Sequence, residues 1–271
     1  MFDRNSHTRD YLRRIGVVEL SPLTSPFDPG YDPATVESHL EQSAHLIEIL
    51  KVSMACWMVA DERATRRKVA AALRWGVPTV TGGGPYEIAV AQRCLPEYLD
   101  LCADIGFTRI ECGEGFTDMT AKPHEVIKMA GARGLDVQFE LGKKHTGAFT
   151  ADTVENLIAT GHRWWDAGAK QLVIEARESA QSVGLFDDYG NFNALLAERF
   201  AKEFGLDIVT YEAPTKSSQF ALLNHFGPGV RLCNIRLEEL LRVEIYRRGL
   251  HSDAFGRANL RPLVQTAPAL A

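Results

Sequence analysis

The sequence predicts a (β/α)8 TIM barrel, and three observations carry that prediction. Short apolar stretches rich in β-branched residues recur about every 23 to 36 residues, eight times in all. Amphipathic helical patterns separate them, and strands alternating with helices imply right-handed βαβ units and a parallel sheet. Eight such units in this length match the barrel. The alternative, a doubly wound open sheet, usually has fewer strands. Its nucleotide-binding form needs G-x-G-x-x-G after the first strand, where this chain has LSPLTSPFDPG.

The strands are expected at residues 16–20 (GVVEL), 47–53 (IEILKVS), 78–81 (PTVT) and 108–112 (TRIEC). Four more are expected at 136–141 (DVQFEL), 171–175 (QLVIE), 207–211 (DIVTY) and 230–235 (VRLCNI). Residues 61–76 read as an amphipathic helix closed by Gly76. Residues 87–106 end in the same way at Gly106, and Pro96 must break or kink them. Residues 122–134 and 150–168 continue the alternation, the second capped by Thr150 or Asp152. A last helix starts near Arg236.

With 271 residues, 45% hydrophobic and 24% charged, the chain can bury a large core without disulfides or metals. No Pro/Ser-rich linker divides it, so one domain is expected over 1–271, with the barrel over about 14–256 and a loosely held tail beyond Gly256. Thirty Lys and Arg against 35 Asp and Glu give a net charge of −5, which speaks against nucleic acid as a partner. It leaves room for a small anion, which needs only a local basic cluster. No run of about 18 apolar residues predicts a membrane span, and the polar N-terminus has no secretory core. The five cysteines are scattered without a C-x-x-C pair, as expected of free thiols in a reducing cytoplasm. A homo-oligomer is the expected assembly.

Active sites of such barrels lie at the C-terminal strand ends. Those ends carry Glu19, Lys51, Thr81 with Gly82, Gly83 and Gly84, Glu111, Glu140 with Lys143, Lys144 and His145, and Glu175 with Arg177 and Glu178. Glu212, the segment from Lys216 to Gln219, Arg231 and Asn234 complete the set. Four glutamates at equivalent places, Glu111, Glu140, Glu175 and Glu212, would repel one another unless protonated or bound to a cation. Hard oxygen ligands suit Mg2+, which commonly takes one or two carboxylates plus waters and substrate. The bland alternative is a structural ring with Lys51, Lys143, Lys144 or Arg177. Lys144 and Arg177 are placed to clamp a doubly charged anion. Lys216, Ser217 and Ser218 could cradle phosphate at a helix start, or merely cap it. Gly83 and Gly84 allow close backbone approach to a ligand, or form a turn. Trp75, Trp164 and Trp165 read as packing, and His145 as either a proton donor or a loop residue. No H-x-x-x-H, G-x-S-x-G or Walker A motif occurs.

Several stretches together carry a family resemblance. They are GGGPYE (82–87), DIGFTRIECGEG (104–115), ELGKK (140–144), GAKQLVIEARES (168–179), YEAPTKSSQ (211–219), FGPGVRLCNI (226–235) and EIYRRGLHSDAFG (244–256). Their joint order resembles phosphosulfolactate synthase, which adds sulfite to phosphoenolpyruvate. The resemblance implies a (β/α)8 barrel, Mg2+, and small anionic substrates, with coenzyme M or another sulfonate pathway as the setting. It also implies that Lys144 is the general acid, Lys51 the strand-two lysine, and Glu175, Arg177, Glu178 and Ser179 the E-x-R-E-S motif. The departures cluster in the first four βα loops. D-K-G has become a longer SPFDPGYDP that keeps Asp28 but has Pro29 in place of the lysine, K-x-G-x-G-T has lost both glycines and the threonine after Lys51, and S-D-G is now Gly113-Glu114-Gly115. The half assigned to phosphate and carboxylate is retained, and the half that selects the nucleophile is altered. A different nucleophile or enol acid is the near alternative. A Schiff-base aldolase using Lys144 or Lys51 is a further one, as is a non-enzymatic relative like the plant heat-stress-associated proteins.

Overall fold

A computed structural model describes residues 6–117 and 121–261. Eight parallel strands close into a barrel in sequence order, each paired with the next and the last with the first. They are β1 (Thr24–Asp28), β2 (Leu50–Val52), β3 (Thr79–Thr81), β4 (Arg109–Gly113), β5 (Asp136–Leu141), β6 (Leu172–Ile174), β7 (Val209–Glu212) and β8 (Arg231–Arg236). Helix α1 (Ser6–Arg14) precedes the barrel. The crossovers carry α2 (Pro33–Ser43), then α3 (Cys56–Val59) and α4 (Glu62–Arg74), then α5 (Gly83–Ala91) and α6 (Leu95–Ile105). They continue with α7 (Pro123–Gly131), α8 (Ala151–Ala167), α9 (Ala194–Phe204) and α10 (Lys216–Phe226), and α11 (Leu240–Arg247) closes the ring. The expected fold class is therefore the observed one.

The first strand is the main correction. Residues 16–20 are not a strand, and Val18 is 68% exposed. The strand is TSPFD, whose five residues are all buried. Its proline conceals it from a propensity reading. Pro26 stands where the register with β8 shifts, and a bulge is one of the few places where a strand tolerates proline. Glu19 is accordingly no strand end. It lies on the outside, 2.8 Å from Arg9, and Asp28 ends the strand instead.

Local sequence explains the other boundaries. Pro96 stands in the first turn of α6, where its missing N–H is no loss, so residues 87–106 form two helices rather than one kinked helix. Gly106 and Gly168 close α6 and α8 in the left-handed region. Thr150 caps α8 by accepting from the Thr153 N–H. Trp164 is buried and stacks on Phe139 at 4.3 Å between centroids, as packing. No described helix is long and apolar enough to cross a membrane. The tail beyond Arg261 lies outside the described residues. Arg261 itself donates to the carbonyls of Ile15 and Gly249.

Candidate active site

Side chains alternate along a strand, so β4 turns both Arg109 and Glu111 into the lumen, and β5 both Gln138 and Glu140. The lower residues form a polar plug near the N-terminal strand ends, where Arg109 donates to Gln171 at 2.7 Å and Gln171 to Glu48 at 2.6 Å. The upper residues meet Lys51 of β2. Lys51 Nζ lies 2.7 Å from Glu111 Oε1, 3.7 Å from Glu212 Oε1 and 4.0 Å from Glu140 Oε2. Lys144, just past β5, lies 3.0 Å from both Glu140 Oε1 and Glu175 Oε2. Glu140 is thus shared by two ammonium groups. The four strand-end glutamates and two lysines form one charged ring.

Burial and charge set the protonation of this ring. Burial raises Glu111, Glu175 and Glu212 above the usual carboxylate range, and neighbouring carboxylates add to it. Burial acts on Glu140 in the same direction, but Lys144 and Lys51 outweigh it and hold the group at about 2. For both lysines burial favours the neutral amine. The facing carboxylates outweigh it and push Lys51 and Lys144 above the usual lysine range.

Above the ring opens a cavity of about 720 Å3. Lys51, Glu111, Glu140, Lys144, Glu175 and Glu212 reach it, with Gly83, Gly84, Arg177, Glu178, Ser179 and Asn234. Three lining residues that are not glycine, Met54, Arg177 and Asn234, have φ of 51°, 54° and 55°. Such left-handed positions persist only where the surroundings impose them, and they concentrate at functional sites. For Arg177 the cause is visible. Its N–H donates to Glu175 Oε1 at 2.7 Å and Glu212 Oε2 at 3.0 Å, and its guanidinium donates to the Lys144 carbonyl at 3.0 Å. Asn234 donates to Glu212 and leaves its buried Oδ1 without a described partner.

Lys216, Ser217 and Ser218 open α10 but do not line this cavity. Ser218 completes a capping box with Thr215, Ser217 Oγ lies 3.0 Å from Thr215 Oγ1, and Lys216 pairs with Asp253 at 3.3 Å. Lys143 also stands outside the lining residues, while His145 Nδ1 lies 3.4 Å from the Arg177 guanidinium.

A residue that sequence reasoning missed holds the loop beside Lys144. Glu87 of α5 is buried and accepts from the N–H groups of Gly115, Phe116 and Thr117, each at 3.0 Å. Gly115 in turn accepts the Lys144 N–H at 2.9 Å. The only signal was a carboxylate beside apolar neighbours in GGGPYE. Gly115 has no room for a side chain, because a Cβ there would stand 2.9 Å from Lys144 Cε. Gly115→Ala is expected to displace the ammonium and to lower kcat about tenfold or more, since small misplacements of catalytic groups are costly. Steady-state rates and the thermal midpoint, measured together, check this. A midpoint drop with unchanged kcat contradicts it.

The donor set does not fit a resident Mg2+ held by these glutamates. Glu111 is engaged by Lys51, the Gly83 N–H and Gln138, and Glu212 by Asn234 and the N–H groups of Ala176 and Arg177. Glu140 and Glu175 close on Lys144. Among the described residues no three acidic, His or Cys groups are placed to share one metal ion. Ammonium groups occupy the places between the carboxylates.

A closed (β/α)8 barrel with a charged cavity at its C-terminal strand ends defines the class: a TIM-barrel enzyme. The chain belongs, further, to the (2R)-phospho-3-sulfolactate synthase (ComA) family, whose family model matches residues 21–253. It is similar to the phosphosulfolactate synthase of Methanocaldococcus jannaschii, with 33% identity over 87% of this chain and 94% of that one. It is 30% identical to that of Methanothermobacter thermautotrophicus, over 91% and 96%. Among solved structures, KGPDC from Streptococcus mutans matches with a TM-score of 0.51 at 12% identity, covering 89% of this chain and 95% of that chain. That likeness bears on the fold alone.

Proposed function

We propose that the protein adds a sulfur nucleophile to phosphoenolpyruvate, as the family name implies for sulfite, with Lys144 as the general acid. The observation that carries this reading is Lys144 itself, held 3.0 Å from Glu140 and from Glu175 at the wall of the cavity. The sulfur lone pair attacks C3. The C2=C3 π pair moves through C2 onto the carboxylate, and Lys144 Nζ gives a proton to C2. The product is a phosphorylated 2-hydroxy acid bearing sulfur on C3. Arg177 faces the cavity and balances charge growing on the substrate carboxylate. Burial raises the Glu175 carboxyl above the usual carboxylate range, which suits it to return a proton to Lys144.

A Schiff-base aldolase needs a neutral amine. Both ring lysines are pushed the other way, so this alternative loses support. Mg2+ enters the proposal only as a counter-ion that arrives with the substrate, and no step depends on it. We place the reaction in the cytoplasm, since its substrates are small metabolic anions.

The test is to incubate the chain in D2O with phosphoenolpyruvate, sulfite and Mg2+. A new phosphate ester with one deuterium at C2, and no released phosphate, is the expected result. Mg2+ alone is expected to leave the thermal midpoint unchanged, while Mg2+ with phosphoenolpyruvate raises it through linkage. Unaltered phosphoenolpyruvate after prolonged incubation with sulfite and, separately, with a thiol, with no midpoint shift, overturns the reading.

A further inference from the structure

The cavity has two unlike walls. The wall from β5 to β8 carries Lys144, Arg177, Glu175, Glu178, Glu212 and Asn234. The wall from the loops after β2 and β4 and the start of α5 carries Met54, Ala55, Pro85, Ile88 and Phe116, with Ser53 and Gly82 to Gly84 beside them. Among the described residues, no charged side chain joins that second wall above the ring. Lys51 lies beneath it, 2.7 Å from Glu111.

We propose that the sulfur nucleophile of this chain is a thiol with an apolar organic body, and that Met54, Ile88 and Phe116 receive that body. The proposal rests on the addition to phosphoenolpyruvate described above. Met54, Ile88 and Phe116 are 50%, 52% and 45% exposed. Three large apolar side chains facing one cavity present area that an apolar ligand would withdraw from water. Sulfite has no apolar body to bury against these three side chains. A small anion brought against them loses hydration without a compensating partner.

The wall is also built into the backbone. Met54 holds φ 51°, and Gly82 packs so closely that a Cβ on it would meet Met54 N at 2.5 Å. A Cβ on Gly84 would lie 3.7 Å from Phe116 Cε1, so Phe116 lies against the start of α5. The close approach of Gly82 fixes the Met54 backbone at the cavity, and Phe116 stands beside it. Both suit a sulfur-bearing apolar ligand, because thioether and aromatic groups interact favourably with soft, polarisable partners. The size agrees. At about 720 Å3 the cavity falls in the range of roughly 300 to 1,000 Å3 that takes drug-sized ligands, more than phosphoenolpyruvate and sulfite need.

The step balances without an oxidant. The thiol reacts as its thiolate after its proton passes to water. The S–C3 bond forms, the C2=C3 π bond breaks, and the electron pair takes a proton from Lys144 at C2. Water reprotonates the amine through Glu175. The product is the phosphate ester of a 3-thioether-substituted 2-hydroxy acid.

The experiment compares phenylmethanethiol, 2-hydroxyethanethiol and sulfite, each with phosphoenolpyruvate and the full chain, by mass spectrometry of the adducts. The expected kcat/KM for phenylmethanethiol exceeds that for sulfite by at least about tenfold, with 2-hydroxyethanethiol between them. Phe116→Ser and Met54→Ser are each expected to raise the KM for phenylmethanethiol about tenfold. Their unliganded thermal midpoints report whether they fold. A sulfite adduct without any thiol adduct overturns this proposal and leaves the addition reaction standing. Thiol adducts whose KM ignores both variants overturn the pocket. No adduct from any nucleophile overturns the addition reaction and this proposal together.

Discussion

Lys144→Ala is expected to lower product formation by about 10^2- to 10^4-fold, the usual contribution of a general acid. The protein should still fold, because Lys144 is 28% exposed and water can reach the carboxylates it leaves behind. Lys144→Arg sharpens the test. It restores a positive charge between Glu140 and Glu175, yet the larger planar guanidinium cannot place a donor where Nζ stood. Both variants should therefore be inactive, although only one disturbs the charge of the ring. The pH profile adds an independent reading. The pKa of Lys144 is raised in the fold, so its proton remains bound as pH rises past the ordinary lysine value near 10.4. The wild-type rate should show no alkaline loss from this group up to about pH 10. Turnover by Lys144→Arg within threefold of wild type would remove Lys144 from the chemistry.

The barrel was legible because its signal is periodic. Seven of the eight strands lie within or beside the apolar stretches read from the sequence, and β5 matches at both ends. The first strand failed because its residues, TSPFD, violate strand propensity, and only pairing with β8 and β2 makes them a strand. The ring was legible for a related reason. A glutamate at the end of an apolar strand can only face the lumen or the strand's helix-covered side, and four in equivalent places imply convergence. What occupies the space between them was not legible. That Lys51 reaches Glu111, Glu140 and Glu212 follows from the closing of the barrel, which brings β2 opposite β5 and β7. Glu87 was hidden because its partners are backbone N–H groups of another loop, which leave no trace in sequence. Met54 and Phe116 read as ordinary apolar residues. Their meaning comes from facing a cavity rather than the core.

Lys51→Met is expected to cost about 3 to 5 kcal/mol of stability, the usual effect of removing one partner from a buried ion pair. The side chain of Lys51 is 8% exposed, and those of Glu111, Glu140 and Glu212 are 3% or less. Methionine fills the volume of the lysine without its charge. For a chain of this size the loss corresponds to a midpoint drop of roughly 10 °C. The pH dependence fixes the cause. In the wild type the pKa of Lys51 is raised in the fold. Its contribution is therefore fully present below the unfolded lysine pKa and is lost only as pH rises through the higher folded value. In the variant the carboxylates lose this counter-charge, so the folded pKa values of Glu111 and Glu212 rise further above the unfolded value near 4.3, and Glu140 loses part of what holds it below that value. Groups raised in this way bind more protons in the folded state, so the variant loses stability as pH climbs from about 5 toward 8. The gap between the two proteins should be small at pH 5 and widest near pH 8. Adding Glu111→Leu to the variant removes the carboxylate nearest the lost ammonium and should recover part of the loss, since replacing both members of a buried pair is milder than removing one. Denaturant unfolding at several pH values measures all three. A gap that stays constant from pH 5 to 8 would show that Lys51 acts by filling space rather than by balancing the three glutamates it faces.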